Sequence, residues 1–343
     1  VTATLPTGAD GQVQLNRHRH PAYRTQARAL VVTDVVPLTP TITHFRLAAP
    51  DGAPLASYQP GSHLVVTAGE KRNAYSLVGD GMAPTSYGIS VMRRGDGGGS
   101  DWLHDHLRPG DLLEIEGPRS MFAPILDQRH ALLVAGGIGV TPVLSHARAV
   151  AARGGTADIL YSYRPGHAAH LEELAELAEA PGIRLFEATT VEGTIDLLKD
   201  RLADQPLGTH AYACGPMPLL DSYLSLAAEA GWPDARVHLE RFTAPELDAG
   251  SPFTAVVAST GERLDVAPGV SLLERLNGAG YPVPSLCRQG VCGECRIGLL
   301  GAPGQDLVDH RDLVLGDEEK ESGDSLLCCV SRGTDGSTIE VDL

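Results

Sequence analysis

The sequence predicts a multidomain chain with three architectures in series: an antiparallel β-barrel, an α/β domain on a parallel sheet, and an α+β domain around a cysteine-rich loop. Three observations carry this. Short β-branched stretches (Leu30-Val31-Val32, Ile42-Thr43-His44-Phe45, His63-Leu64-Val65-Val66) alternate with Pro and Gly turns, which is the rhythm of antiparallel strands. From His130 the pattern becomes strand, glycine turn, helix and strand again, as a parallel sheet covered on both faces requires. From Phe253 a hairpin precedes a helix opened by Ser271 and stopped by Gly278 and Gly280, and a loop bearing Cys287, Cys292 and Cys295 follows. With 343 residues the chain is too long for one ordinary core. The expected division is a tail over 1–24, a barrel over 25–126, an α/β domain over 127–243, a linker over 244–252 and a last domain over 253–343.

The cysteine loop is the most specific stretch. Cys287, Cys292 and Cys295 stand at C-x4-C-x2-C, with Cys328 and Cys329 downstream, which is the plant-type spacing for a [2Fe-2S] cluster. Gly290 and Gly293 suit a loop that must turn through positive φ and aim N–H groups inward. A zinc site would need two close cysteine pairs, and only Cys292 and Cys295 are so spaced. A disulfide framework is disfavoured because five of six cysteines crowd into the end of the chain, and the first residues lack the basic start and apolar middle of a signal peptide. A cytoplasmic protein is therefore expected, and without a run of about 18 apolar residues no membrane span is. The net charge of −16 argues against nucleic acid as a partner. Residues 251–343 carry fifteen acids against seven bases, half of that excess, so this end would be steered toward a basic face.

Two glycine turns are candidate phosphate sites. Gly95-Asp96-Gly97-Gly98-Gly99-Ser100 opens a short helix, where free N–H groups and the dipole favour an anion. Gly136-Gly137-Ile138-Gly139-Val140-Thr141-Pro142 follows the apolar strand His130–Ala135, as in the first unit of a nucleotide fold, although it is not the full dinucleotide fingerprint. At the end of the next strand Ser162 and Arg164 stand where an NAD-specific site would place an acid, so a 2′-phosphate could be tolerated. His167 and His170 read as surface residues at a helix start.

On these residues the chain resembles the phthalate dioxygenase reductase family. In that family the last cluster ligand lies in Cys-x-Ser-Arg, which Cys329-Val330-Ser331-Arg332 matches and Cys328 does not. Arg72-Asn73-Ala74-Tyr75-Ser76-Leu77 is similar to its flavin signature. The resemblance implies Tyr75 against the flavin ring, Ser76 near its reactive nitrogen and Arg72 on its phosphate, although the arginine stands three residues before the tyrosine where two is usual. It assigns the Gly98-Gly99-Ser100 turn to a single phosphate and hence to FMN. The Gly-Gly-x-Gly-x-Thr-Pro form of Gly136, Gly137, Gly139, Thr141 and Pro142 implies a nicotinamide nucleotide, NADH in preference to NADPH. Cys214-Gly215-Pro216 implies a thiol beside the nicotinamide, and Phe242 a shield for the flavin. The last domain should then be a β-grasp ferredoxin. The implied activity is electron transfer from NADH through FMN and the cluster to a terminal oxygenase, a Rieske enzyme or a cytochrome P450, docking on the acidic ferredoxin domain of a monomer. The alternatives are a flavin or ferric reductase, and a redox sensor without an oxygenase.

Overall fold

The computed structural model describes residues 27–343, apart from 70, 121, 243–246 and 302–306. The expected tail and part of the expected linker lie outside the described residues. The first sheet is built from β1 (Arg28–Pro37), β2 (Ile42–Ala48), β3 (Ser62–Ala68), β4 (Lys71–Ser76) and β5 (Ser86–Met92), then α1 (Gly99–His106) and β6 (Leu112–Ser120). Its order is β4-β3-β6-β1-β2-β5, antiparallel throughout. Period-two alternation turns Leu30 and Val32, Phe45 and Leu47, and Tyr87, Ile89 and Val91 into one core, which Leu103 of α1 and Leu107 just after it plug. The edge strands β4 and β5 approach each other through a bridge between Leu77 and Ile89. That bridge closes the sheet into a barrel and leaves no free edge there.

The second sheet contains β7 (His130–Gly136), α2 (Val140–Ala152), β8 (Ala157–Ser162), α3 (Leu171–Leu177), β9 (Ile183–Ala188), α4 (Val191–Ala203), β10 (Thr209–Cys214), α5 (Met217–Glu229) and β11 (Val237–Glu240). Its strands are parallel in the order β11-β10-β7-β8-β9. β7 shows why its sequence is continuously apolar: Ala131, Leu133 and Ala135 enter the core under α2 and α3, and Leu132 and Val134 the core under α4 and α5. The last strand, β11, ends at Glu240, so Arg241 and Phe242 are free of the ladder.

The third region holds β12 (Phe253–Val257), β13 (Arg263–Val266), α6 (Leu272–Gly278), β14 (Arg296–Leu300), β15 (Val308–Asp309), α7 (Asp317–Ser322), β16 (Ser325–Leu327), β17 (Arg332–Gly333) and β18 (Thr338–Asp342). The mixed sheet β13-β12-β18-β14-β16 packs on α6, whose start is a capping box between Ser271 and Glu274. The acidic run Asp317-Glu318-Glu319 forms the first turn of α7, where negative charge meets the positive helix end.

Barrel and parallel sheet share a core, because Ile42, Val78 and Phe122 pack with the residues of α2. Ser145 Oγ donates to the Gly79 carbonyl at 2.6 Å, and Arg148 donates to that of Val78 at 2.7 Å. Among the described residues no helix is long and apolar enough to cross a membrane.

The parallel sheet also encloses the carboxylate of Asp158 on β8, which is fully buried. Arg184 donates to both its oxygens at 2.7 Å, and Arg201 and Gln205 approach Oδ2 at 3.4 and 3.3 Å. Removing the carboxylate takes a partner from Arg201, whose side chain is 14% exposed, and leaves a polar hollow inside the sheet. Asp158→Ala should therefore cost roughly 3 kcal/mol of unfolding free energy, read as a fall in the urea midpoint.

Candidate functional site

The three sheets meet at one cleft of about 410 Å³, a size ordinary for a cofactor pocket. One wall is the edge strand β4, which contributes Asn73, Ala74, Tyr75 and Ser76, with Ser90, Met92 and Arg94 across the barrel seam. Burial keeps the Tyr75 phenol neutral by pushing it up to about 12, and Asn73 Nδ2 donates to its Oη at 3.2 Å. Arg72 is not among the lining residues: its guanidinium turns away to Glu116 at 2.5 Å. The cations on the cleft wall are Arg94, in the turn that leads to α1, and Arg241, just after β11.

That turn is pinned by Asp101. Its Oδ1 accepts from the N–H groups of Arg94 and Gly95 at 2.9 and 3.0 Å, and its Oδ2 from Gly97 at 2.8 Å. These donors hold the carboxyl below the ordinary aspartate range. Helix α1 then starts at an N-cap, Gly98, that brings no side-chain cap, and Ser100 in its first turn lines the cleft. A Cβ on Gly99 would stand 2.9 Å from Asn73 Nδ2, so glycine lets the helix start abut β4.

The nucleotide-type turn contributes Ile138 and Thr141 to the cleft, and its glycines divide the work. A Cβ on Gly139 would meet the Cys214 carbonyl oxygen at 2.1 Å, and one on Gly136 would meet Leu219 and Pro216 at 2.5 and 2.7 Å. Gly215 is equally confined, at 2.8 Å from Leu219. These three let the ends of β7 and β10 touch. Gly137, at φ +53°, has nothing within 4 Å of a Cβ and is the position open to a ligand. Pro142 is buried in the first turn of α2. Cys214 is wholly buried and does not line the cleft, and burial raises its thiol well above the ordinary range. Ser162 Oγ lies 2.8 Å from Thr194 Oγ1, outside the cleft, and Arg164 is exposed nearby. Phe242 lines the cleft.

The cysteine loop forms the opposite wall through Leu286, Cys287, Val291 and Cys292. Its thiols fall into two groups, Cys287 with Cys292, and Cys295 with Cys328 and Cys329. Two thiolates per iron is the demand of a binuclear cluster, so the donor set fits the group. A hydrogen bond from the Cys292 thiol, backed by N–H groups of the loop, lowers Cys287 to about 6 against the effect of burial. Hydrogen bonds from Cys328 and Cys329 lower Cys295 to about 4. Both are displaced toward the thiolate that binds iron. Gly290 (φ +70°) donates its N–H to Cys329 and not to Cys328, and a Cβ there would lie 2.5 Å from Val330.

One ion pair joins the cysteine loop to the barrel. Glu294, between Gly293 and Cys295, receives Arg119 of β6. Arg119 also holds Glu116 at 2.9 Å, and Glu116 holds Arg72. The four charges form a chain along the barrel face under the cleft.

Comparison with known proteins agrees with this arrangement. Residues 118–237 match the model of the dimethylamine monooxygenase subunit DmmA-like N-terminal domain, and 256–333 that of the 2Fe-2S iron-sulfur cluster binding domain. The beta subunit of a heme-dependent oxidative N-demethylase from Ectopseudomonas mendocina is 40% identical, over 89% of this chain and 96% of its own. The structure of phthalate dioxygenase reductase, described as modular for electron transfer from pyridine nucleotides to [2Fe-2S], is 32% identical, with a TM-score of 0.70 over 92% of this chain and 98% of that one. An intact type IV self-sufficient cytochrome P450 monooxygenase gives a TM-score of 0.77 at 31% identity over 95% of this chain, which spans 43% of that longer one. Flavin barrel, nucleotide sheet and cluster domain on one chain define an oxidoreductase of the oxygenase-reductase class. Within that class, the chain belongs to the phthalate dioxygenase reductase family.

Sequence reasoning missed several groups on the cleft, Arg241 among them. Arg94 was overlooked in favour of Arg72, and His63 and Glu240 read only as strand residues. His63 faces Ser76 across β3 and β4, and burial lowers it to about 4, which keeps it neutral. Glu240 pairs in register with Cys214, its Oε2 enclosed and without a hydrogen-bond partner among the described residues. Desolvation pushes its carboxyl up from 4.5 to about 8. Folded protein thus holds this proton to a higher pH than unfolded protein, and stability is lost as pH rises from about 4.5 through about 8. Glu240→Gln should flatten that decline, so melting temperatures of variant and parent should diverge in the variant's favour between pH 5 and 8.5 and run parallel below pH 4.5.

Proposed function

We propose that this chain takes hydride from NADH, passes it to FMN in the cleft, and sends the electrons singly through a [2Fe-2S] cluster to a terminal oxygenase. The observation that carries the proposal is the shared cleft, whose walls come from the flavin-type strand β4, the nucleotide-type turn and the cysteine loop together. When bound, the flavin accepts a hydride and returns electrons one at a time, which matches a two-electron donor to a one-electron outlet. The protein supplies position. Tyr75 offers a ring face and Ser76 a hydroxyl at the seam of the barrel. Arg94 and the uncapped start of α1 suit one phosphate, which favours FMN. Gly137 leaves room for the nucleotide's pyrophosphate. Beside Ser162, Tyr163 donates to the Glu187 carboxylate at 2.5 Å, and that negative charge disfavours a 2′-phosphate, which supports NADH.

Cys287, Cys292, Cys295 and Cys329 are the proposed cluster ligands. Cys329 is preferred over Cys328 because it receives the Gly290 N–H within the loop. The oxygenase is proposed to dock on the acidic ferredoxin region in the cytoplasm, with the exposed first turn of α7 (Asp317, Glu318, Glu319) contributing to attraction of a basic face. One chain completes the cleft, which suits a monomer.

The test follows electrons past the flavin. In Cys292→Ser and Cys329→Ser, NADH should still bleach bound flavin, but cytochrome c reduction should fall by roughly two orders of magnitude, and Cys328→Ser should keep it. Cytochrome c reduction unchanged in Cys292→Ser would mean that electrons bypass the cluster.

Arg119→Gln leaves Glu294 without its cation and loosens the cysteine loop over the cleft. Stopped-flow absorbance should show cluster reduction slowed by roughly tenfold while flavin reduction by NADH is unaffected.

A further inference from the structure

We infer that Ser90, His170 and Glu173 form a proton exit from the cleft, an inference that rests on reading the cleft as the flavin site. The balance of the reaction asks for such an exit. Each hydride is one proton and two electrons. When the electrons leave singly for the cluster, one NADH yields NAD+, two successive one-electron reductions and one proton, and that proton remains in an enclosed space.

A hydrogen-bonded line runs from the cleft to solvent. The bridge from Leu77 to Ile89 sets Ser76 alongside Ser90 across the barrel seam, and Ser90 lines the cleft while being 4% exposed. Ser90 Oγ lies 2.7 Å from His170 Nε2, and His170 Nδ1 lies 2.7 Å from Glu173 Oε2. The His170 side chain is 1% exposed, whereas that of Glu173 is 40% exposed, so the line ends at water. His170 was expected on the surface, and it is instead the buried link of the line.

The direction of each bond follows from donor chemistry. An ionised carboxylate only accepts, so His170 Nδ1–H donates to Glu173, and in the tautomer that carries its one ring hydrogen there Nε2 is an acceptor. Ser90 O–H must then donate to Nε2. The His44 Nδ1, 2.9 Å from Ser90 Oγ, must donate to that oxygen. Every hydrogen on the path points away from the cleft. A proton arriving at Ser90 can displace the hydroxyl hydrogen onto His170, and the Nδ1 hydrogen can move to Glu173 and water.

The surroundings favour transit over storage. His44 on β2 is lowered to about 4, chiefly by burial, and so does not retain the proton. Arg148 of α2 reaches Glu173 at 3.0 Å, and Arg46 acts on His44 from the same strand. His170 adopts φ 61°, a left-handed conformation uncommon outside glycine, at the residue before α3. Such backbone strain is a feature of functional positions, and here it accompanies a ring aimed into the barrel.

A plain latch between barrel and parallel sheet would use the same contacts, so the experiment separates the two. Glu173→Gln keeps an acceptor for Nδ1–H but takes no proton at neutral pH, and Ser90→Ala removes the first carrier. Both are studied as flavin- and cluster-loaded protein, with a pH-indicator dye in stopped flow, in H2O and D2O, beside hydrogen exchange of segments 42–47, 86–92 and 168–175. The relay predicts that Glu173→Gln holds flavin and accepts hydride from NADH like the parent. Proton release and the second electron's arrival at the cluster should slow by roughly tenfold, with a larger solvent isotope effect and unchanged hydrogen exchange. Ser90→Ala should slow proton release likewise. Release at the parent rate in both variants overturns the relay, as does slowing that comes only with faster exchange at the interface, the mark of a latch. A parent chain that binds no flavin overturns the reading of the cleft itself, and the relay with it.

Discussion

The contact on which the rest of the arrangement depends is the ion pair between Arg119 and Glu294. β4 and β5 build a cleft, and α2 and β11 close one side of it. The cysteine loop, however, belongs to a separate sheet with its own core. Among the described residues no apolar core residue is shared between that region and the barrel, whereas the barrel and the parallel sheet share a core. What brings the loop to the cleft is therefore polar and local. Arg119 is held from behind by Glu116, and Glu116 by Arg72, so the cation that meets Glu294 is oriented before the loop arrives. Interfaces of this kind separate more readily than apolar ones, which suits a carrier that must face a donor on one side and a partner on the other.

This chain of charges also explains where sequence reasoning succeeded and failed. The cysteines were legible because cluster chemistry dictates both residue type and spacing, and no tertiary contact can substitute for a thiolate. β7 was legible because a strand buried on both faces leaves a continuous apolar run. Arg72 was not, because its partner, Glu116, is far away in sequence and only the pairing of β3 with β4 and β6 brings them together. The guanidinium that motif reasoning assigned to a phosphate is the outer end of the ion chain, and Arg94, on a turn pinned by Asp101, stands on the cleft wall. His170 was misread for a related reason. Helical spacing reports which residues share a helix face, but not that a neighbouring barrel will cover it. Phe242 lies on the cleft although the strand stops at Glu240, since a residue released from a ladder is free to turn its side chain inward.

The polarity of the cleft gives its chemistry a direction. The groups that reach it from within the protein are neutral by burial: Tyr75 is pushed up, His63 is pushed down, and Glu240 is displaced toward its protonated form. Fixed charge stands on the cleft wall at Arg94, before α1, and at Arg241, after β11, and under the cysteine loop at Arg119 with Glu294. Charge that accumulates in such an interior is poorly solvated, so electrons leaving toward the cluster and a proton left behind cannot remain separated there at low cost. The two must leave nearly together, by different doors. The cysteine loop lies on one wall, and on another is the only side chain of β5 that joins the cleft to a buried imidazole, Ser90. Electron outlet and proton outlet are thus placed by different sheets, and the closure of the barrel between Leu77 and Ile89, by setting Ser76 against Ser90, puts the start of the second beside the proposed position of the reacting ring.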